Sequence, residues 1–237
     1  MTANRALVEA VRKGLRDAAD PARASGMQAY IKSTMPYRGV ASAGQKRVFR
    51  DAFAAHPLDS FEAWRDTLLA LWRDAEFRDE RYAAIGFASQ RRYAAYVTRE
   101  ALPILEEFIV TDAWWDYVDE TSNLVGEVLR VDREWMTAEM RRWSRDPHLW
   151  KRRVSIICQL RFKADTDLDL LYAAIEANLD DRDFFIRKAI GWALRQCART
   201  DPDEVTRYVR AHADRLSGLS IREAMKHLGG IEAARSA

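Results

Sequence analysis

Charged and apolar positions alternate at helical intervals from the first residues of this chain. Between Met1 and Asp17 the charges return at helical spacing and leave no apolar stretch of the kind that directs secretion. Nowhere do roughly eighteen apolar residues run uninterrupted, the length that a membrane-crossing helix needs. Breaks fall near Asp20-Pro21, Met35-Pro36, His56-Pro57, Asp146-Pro147 and Asp201-Pro202, because proline lacks an amide donor and clashes with a preceding helical turn. The stretches between them predict helix pairs, with helices of roughly ten to eighteen residues.

A period runs through these helices. Aromatic residues stand at Trp115, Trp150 and Phe185, separated by 150 − 115 = 35 and 185 − 150 = 35. Thr111, Asp146 and Asp181 lie four residues before them and are expected as N-caps, whose side chains accept hydrogen bonds from free helical amides. Ile85-Gly86-Phe87 also matches Ile190-Gly191-Trp192 at an offset of 105, three such periods. A repeat of this length is typical of helix-pair solenoids, which curve and offer a long concave face to an extended partner.

Departures from the repeat carry more information than its regular positions. Asp119 corresponds to Val154 and Ala189, so a carboxylate stands where other units carry apolar side chains, and burying it unpaired would be costly. It could instead be the buried partner of an arginine on a neighbouring helix. Val118 corresponds to Arg153 and Lys188, charges expected to point into the concave groove. Trp114 and Trp150, at helical spacing among apolar neighbours, read as core.

Composition narrows the class. With 48% hydrophobic and 31% charged residues but only 10 glycines and 6 prolines, the chain favours helix and can bury one sizeable core. A single all-α domain over residues 1–237 is expected, with a tail frayed from about residue 229. The two cysteines, Cys158 and Cys197, lack the paired spacing of metal ligands and read as buried thiols in a reducing, cytoplasmic setting. Net charge is only +2, yet residues 51–120 hold 15 acidic and 7 basic residues, and residues 130–163 hold 4 and 10. A basic surface is therefore expected on the middle and C-terminal helices.

Several segments resemble the AlkD-type DNA alkylation repair family, and the resemblance covers nearly the whole chain. They are Met27-Gln28-Ala29-Tyr30-Ile31-Lys32 with Gly39-Val40, Ala113-Trp114-Trp115-Asp116-Tyr117-Val118-Asp119, Trp150-Lys151-Arg152-Arg153, Phe184-Phe185-Ile186-Arg187-Lys188-Ala189-Ile190-Gly191-Trp192, and Leu219 to His227. The resemblance implies HEAT-like helical repeats stacked into a curved solenoid whose concave face grips duplex DNA. The implied activity is hydrolysis of the N-glycosidic bond of cationic N3- or N7-alkylated purines without flipping the base. It implies no metal and no cofactor, and a monomer is expected. By position, Trp115, Asp119 and Trp192 match the family's active-site residues, Arg153 its phosphate-contacting arginine, and Tyr30 an aromatic residue beside the lesion. Tyr37-Arg38 and Tyr117 depart from the family's common pattern and bear on lesion preference.

The chemistry suits these residue types. An alkylated purine already carries positive charge and leaves without an acid, so the enzyme must stabilise the oxocarbenium character that develops on the sugar. A carboxylate at Asp119 can do this while orienting water, with Trp115 and Trp192 presenting electron-rich faces. Lys32, Arg152, Arg187, Lys188 and Arg222 are further candidates for DNA contact. Ser220 is expected as a helix N-cap that offers amides to phosphate. No nucleophilic lysine is indicated, which predicts a glycosylase that leaves an abasic site uncut. The alternatives are a self-resistance glycosylase for one bulky natural-product adduct and a non-catalytic HEAT-repeat scaffold that binds DNA or protein.

Overall fold

The computed structural model describes residues 2–111 and 113–228, and among them every regular element is a helix. The tail from residue 229 lies outside the described residues. Packing divides the chain into two compact units, Met1–Ile104 and Leu105–Ala237.

The first unit contains α1 (Arg5–Asp17), α2 (Pro21–Ile31), α3 (Ser42–Ala55), α4 (Phe61–Arg73) and α5 (Arg78–Ala88). Short 3-10 turns follow, and α6 (Leu102–Val110) contains the division between the units. Local signals set the helix starts: Asn4, Asp20 and Ser60 cap α1, α2 and α4 by accepting backbone N–H groups, and Pro21 occupies a first-turn position where its missing donor costs nothing. Leu7, Val8, Val11 and Leu15 give α1 one buried face, packed against α3, α4 and α5.

The first turn of α5 breaks the usual rule, since Arg78, Asp79, Glu80 and Arg81 are all buried. Asp79 accepts the Arg38 backbone N–H at 2.8 Å and the Gln45 amide at 3.1 Å. Glu80 accepts from Arg12 at 3.1 Å and from Arg38 at 3.2 Å. Periodicity alone would place these charges on a solvated surface. Here they tie residues 36–40, the connection after α2, to α1 and α5.

The second unit contains α7 (Trp115–Val131), α8 (Arg133–Trp143), α9 (Leu149–Ile157), α10 (Leu168–Glu176), α11 (Phe184–Cys197), α12 (Pro202–Ala211) and α13 (Gly218–Ala224). Alternate helices form a row: α7 packs on α9, α9 on α11, and α11 on α13, with α8, α10 and α12 packed beside them. The repeat is visible in the starts of α7, α9 and α11, at 149 − 115 = 34 and 184 − 149 = 35 residues. Trp114, Trp150 and Phe185 meet at the head of this row with ring centroids 5.0–5.9 Å apart. Trp150 is buried and Trp114 half-buried. Two glycines permit the closest approaches. A Cβ at Gly126 would overlap the Cys158 carbonyl oxygen, and one at Gly191 would stand 2.8 Å from that of Ser220.

The expected caps are corrected. The N-caps of α7, α9 and α11 are Trp114, His148 and Asp183, not Thr111, Asp146 and Asp181. Asp146 and Asp181 accept the N–H two residues on, from His148 at 2.9 Å and Asp183 at 2.8 Å. Their short side chains thus shape the entry to each helix as Asx turns, which explains why they keep the period without capping.

Candidate active site

Asp119 lies one turn into α7, and Arg153 stands opposite it on α9. Arg153 Nε donates to Asp119 Oδ1 at 2.7 Å and Nη2 to Oδ2 at 2.8 Å, the parallel fork that a guanidinium forms with a carboxylate. Its Nη1 donates to the Phe185 carbonyl oxygen of α11 at 2.6 Å. The pair therefore joins three successive helices of the row. The Arg153 side chain is only 4% exposed and that of Asp119 16%.

Burial raises the Asp119 carboxyl above the ordinary aspartate value, the two hydrogen bonds and charge of Arg153 oppose that rise, and nearby Asp116 adds a smaller upward push. Because arginine stays charged, the ionised carboxylate keeps its partner at neutral pH. A carboxylate offers about four lone-pair sites. The fork occupies one on each oxygen and leaves acceptor capacity on both.

That capacity meets a cleft of about 660 Å³. It is lined by Asp119, Glu120 and Asn123 of α7, Leu160, Arg161 and Lys163 beyond α9, and Trp192, Gln196, Arg199 and Thr200 along α11 and just past it. Two of the three expected catalytic residues, Asp119 and Trp192, thus share one concavity. Trp115 begins α7 one turn before Asp119, half-buried and outside this lining. Among the described residues no group of three His, Cys, Asp or Glu side chains is placed to hold a metal ion.

Residues 11–228 match the family model described as DNA alkylation repair enzyme. The chain belongs to this family. A search of the solved structures finds similarity to a protein described as a predicted DNA alkylation repair enzyme from Enterococcus faecalis, at 26% identity and a TM-score of 0.79. The match covers 90% of this chain and 98% of that one. No curated protein matches.

In this member of the DNA alkylation repair family, most cations singled out by sequence are engaged within the fold. Arg153, expected as the phosphate contact, is buried, and each of its three nitrogens donates within the helix row. Arg152 donates to Asp181 at 2.9 Å and to the carbonyls of Asp146 and Pro147. Lys188 pairs with Glu223 at 2.6 Å, and Arg195 shares the same carboxylate. Arg187 reaches the Asp181 carbonyl at 3.3 Å.

Ser220 is corrected as well. Ser217 caps α13, while Ser220 is buried in its first turn and donates to the Arg187 carbonyl oxygen at 2.9 Å. Its hydroxyl secures α13 to α11. Arg222 is exposed on α13. Tyr30, 75% exposed, and Lys32, exposed at the left-handed C-cap of α2, belong to the first unit.

Arg161, Lys163 and Arg199 are functional candidates that sequence reasoning missed. All three are exposed, line the cleft and make no ion pair with a described residue. Lys163 also holds φ = 54°, a left-handed conformation that costs a non-glycine residue about 1 kcal/mol. The charge count over residues 130–163 included Arg161 and Lys163 without distinguishing them from internally paired neighbours. No local signal marked Arg199.

Proposed function

We propose that this protein is a monofunctional DNA glycosylase that removes cationic N3- or N7-alkylated purines from duplex DNA without flipping the base. The observation that carries this reading is a desolvated carboxylate, Asp119, oriented by Arg153 and facing the same cleft as Trp192, in a chain of the DNA alkylation repair family.

The cationic purine is already a good leaving group. As its bond to the sugar breaks, positive charge develops on the deoxyribose, and Asp119 stabilises it more strongly in a partly desolvated cleft than it would in water. The same carboxylate orients the attacking water through its remaining lone pairs. Trp192, with Trp115 one turn from Asp119, presents an electron-rich face toward the charged nucleotide. Tyr30, exposed on the first unit, is a further candidate for DNA contact. Arg161, Lys163 and Arg199 hold the flanking phosphates, while Lys32, Arg187, Lys188 and Arg222 add outer contacts with the duplex. Arg153 is a positioning residue. No lysine is offered as a nucleophile, so the product is an intact abasic strand. The protein acts as a cytoplasmic monomer.

The test is release of 7-methylguanine and 3-methyladenine from methylated duplex DNA by wild type and Asp119→Asn. Wild-type release with a loss of about 10²-fold or more in the variant, at unchanged DNA affinity, is expected. Equal release by both proteins removes Asp119 from the chemistry. The size of the cleft favours a second reading, in which the substrate is a bulky natural-product adduct. An enzyme of that kind releases the adduct and leaves 7-methylguanine in place. Binding with no release of either base would identify a scaffold.

A further inference from the structure

We propose that Glu120 is a specificity-determining residue of the candidate active site, where it supplies the uncompensated negative charge that selects a positively charged nucleotide. The inference rests on this cleft as the nucleotide site, but not on base release.

The charges of the cleft are sorted by wall. Both of its carboxylates, Asp119 and Glu120, come from α7, whereas its cations, Arg161, Lys163 and Arg199, follow α9 and α11. Among the described residues no ion pair joins the two sets, so opposite charges share one cavity without cancelling. A nucleotide with a cationic base or sugar beside its phosphates is sorted in the same way. Its phosphates suit the cationic wall, and its cationic part suits α7. An undamaged nucleotide brings only the anionic part, which an unpaired carboxylate repels.

The two carboxylates differ in what they can contribute. Asp119 is forked to Arg153 at 2.7 and 2.8 Å, so the pair has no net charge. It attracts a cation as a dipole, whose field fades faster with distance than that of a single charge. Glu120, in the second turn of α7, is exposed and makes no ion pair with a described residue. It keeps its full charge, and it is the carboxylate of the lining left to offset the three cations, which oppose positive charge on the sugar. Its wall is held in place: the Asn123 side-chain amide donates to the carbonyl oxygens of Asp119 at 3.1 Å and Glu120 at 3.2 Å. The repeat supplies an independent reason. One and two periods on, the position of Glu120 is taken by Ser155 and Ile190, both buried, so an exposed carboxylate here is peculiar to the unit that carries Asp119.

The test uses the full chain and two duplexes that differ in one charge. One carries a pyrrolidine abasic analogue, whose ring nitrogen is protonated at neutral pH, and the other its uncharged tetrahydrofuran counterpart. Wild type is compared with Glu120→Gln and Glu120→Asp, with the urea midpoint confirming equal folding. Wild type should bind the charged duplex more tightly. Glu120→Gln should lower that preference about threefold or more, as expected for the loss of one nearby charge, while Glu120→Asp keeps most of it. Affinity for the tetrahydrofuran duplex should be unchanged or higher in Glu120→Gln. An unaltered preference in Glu120→Gln overturns the proposal and leaves Glu120 as a solvated surface group. Equal losses on both duplexes also overturn it, since they mark a role in general DNA binding, and so does wild-type protein that does not prefer the charged duplex. Release of 7-methylguanine is read separately. If wild type releases no base yet shows the preference that depends on Glu120, the glycosylase reading fails and this inference stands.

Discussion

At the scale of single residues, the pair formed by Asp119 and Arg153 governs the behaviour of the candidate site. The repeat marked Asp119 as an outlier because a carboxylate interrupted an apolar column, and an arginine partner on a neighbouring helix was one of two readings open to it. The guanidinium is that partner, and removing it would strand a largely buried charge. Arg153→Met should therefore cost about 3 kcal/mol, the lower end for a broken buried pair because Asp119 keeps some exposure, measured by urea unfolding. Base release should fall as Asp119 loses its orientation, while the salt slope of DNA binding stays at the wild-type value. A shallower slope in a protein of unchanged stability would return Arg153 to the DNA interface. Asp119 also sets a pH dependence. Since burial raises its carboxyl, release should be complete above the folded-state pKa and lost as pH falls through it, with an acid limb above the value near ~4 of an exposed aspartate. A single-turnover profile measures this limb, and one centred at or below the exposed value would contradict the assignment.

At the scale of elements, the row of alternate helices in the second unit depends on close backbone approach. Gly126 lets α7 rest on the last turn of α9, where the Cys158 carbonyl oxygen occupies the place a Cβ would take. Backbone cannot swing aside as a long side chain can. Gly126→Ala should therefore destabilise the protein by about 1–3 kcal/mol, although alanine is the better helix former, and should weaken base release by separating Asp119 from Arg153. Thermal unfolding and the release assay check this. A more stable variant would show that α9 can shift without consequence. The first turn of α5 and the entries to α9 and α11 show what local reading can reach. Asp20-Pro21 and Asp201-Pro202 marked the starts of α2 and α12, since their effects act within two or three residues, whereas Asp146 and Asp181 fall two residues short of the caps of α9 and α11. The burial of Asp79 and Glu80 was not legible, because their partners Arg12, Arg38 and Gln45 lie more than thirty residues earlier.

At the scale of the whole molecule, both cysteines lie within the second unit, where burial lifts the Cys158 thiol to about 12 and raises that of Cys197 as well. Thiolate is the reactive form, so neither thiol should react appreciably with a disulfide reagent at pH 8 in the native protein, and both should react in denaturant. Their labelling then reports opening of this unit, and rapid modification of Cys158 under native conditions would contradict the packing described for α9. The sequence by itself determined the helical class, the 35-residue period and the choice of Asp119 and Trp192 as residues to watch. These follow from spacing along the chain, and spacing survives without a partner. Tertiary structure alone decided which cations are free: Arg152, Arg153 and Lys188 are paired across helices, and Arg161, Lys163 and Arg199 remain at the cleft. The physical reason is that an ion pair depends on what a side chain meets about one repeat away, whereas helix formation depends on its immediate neighbours.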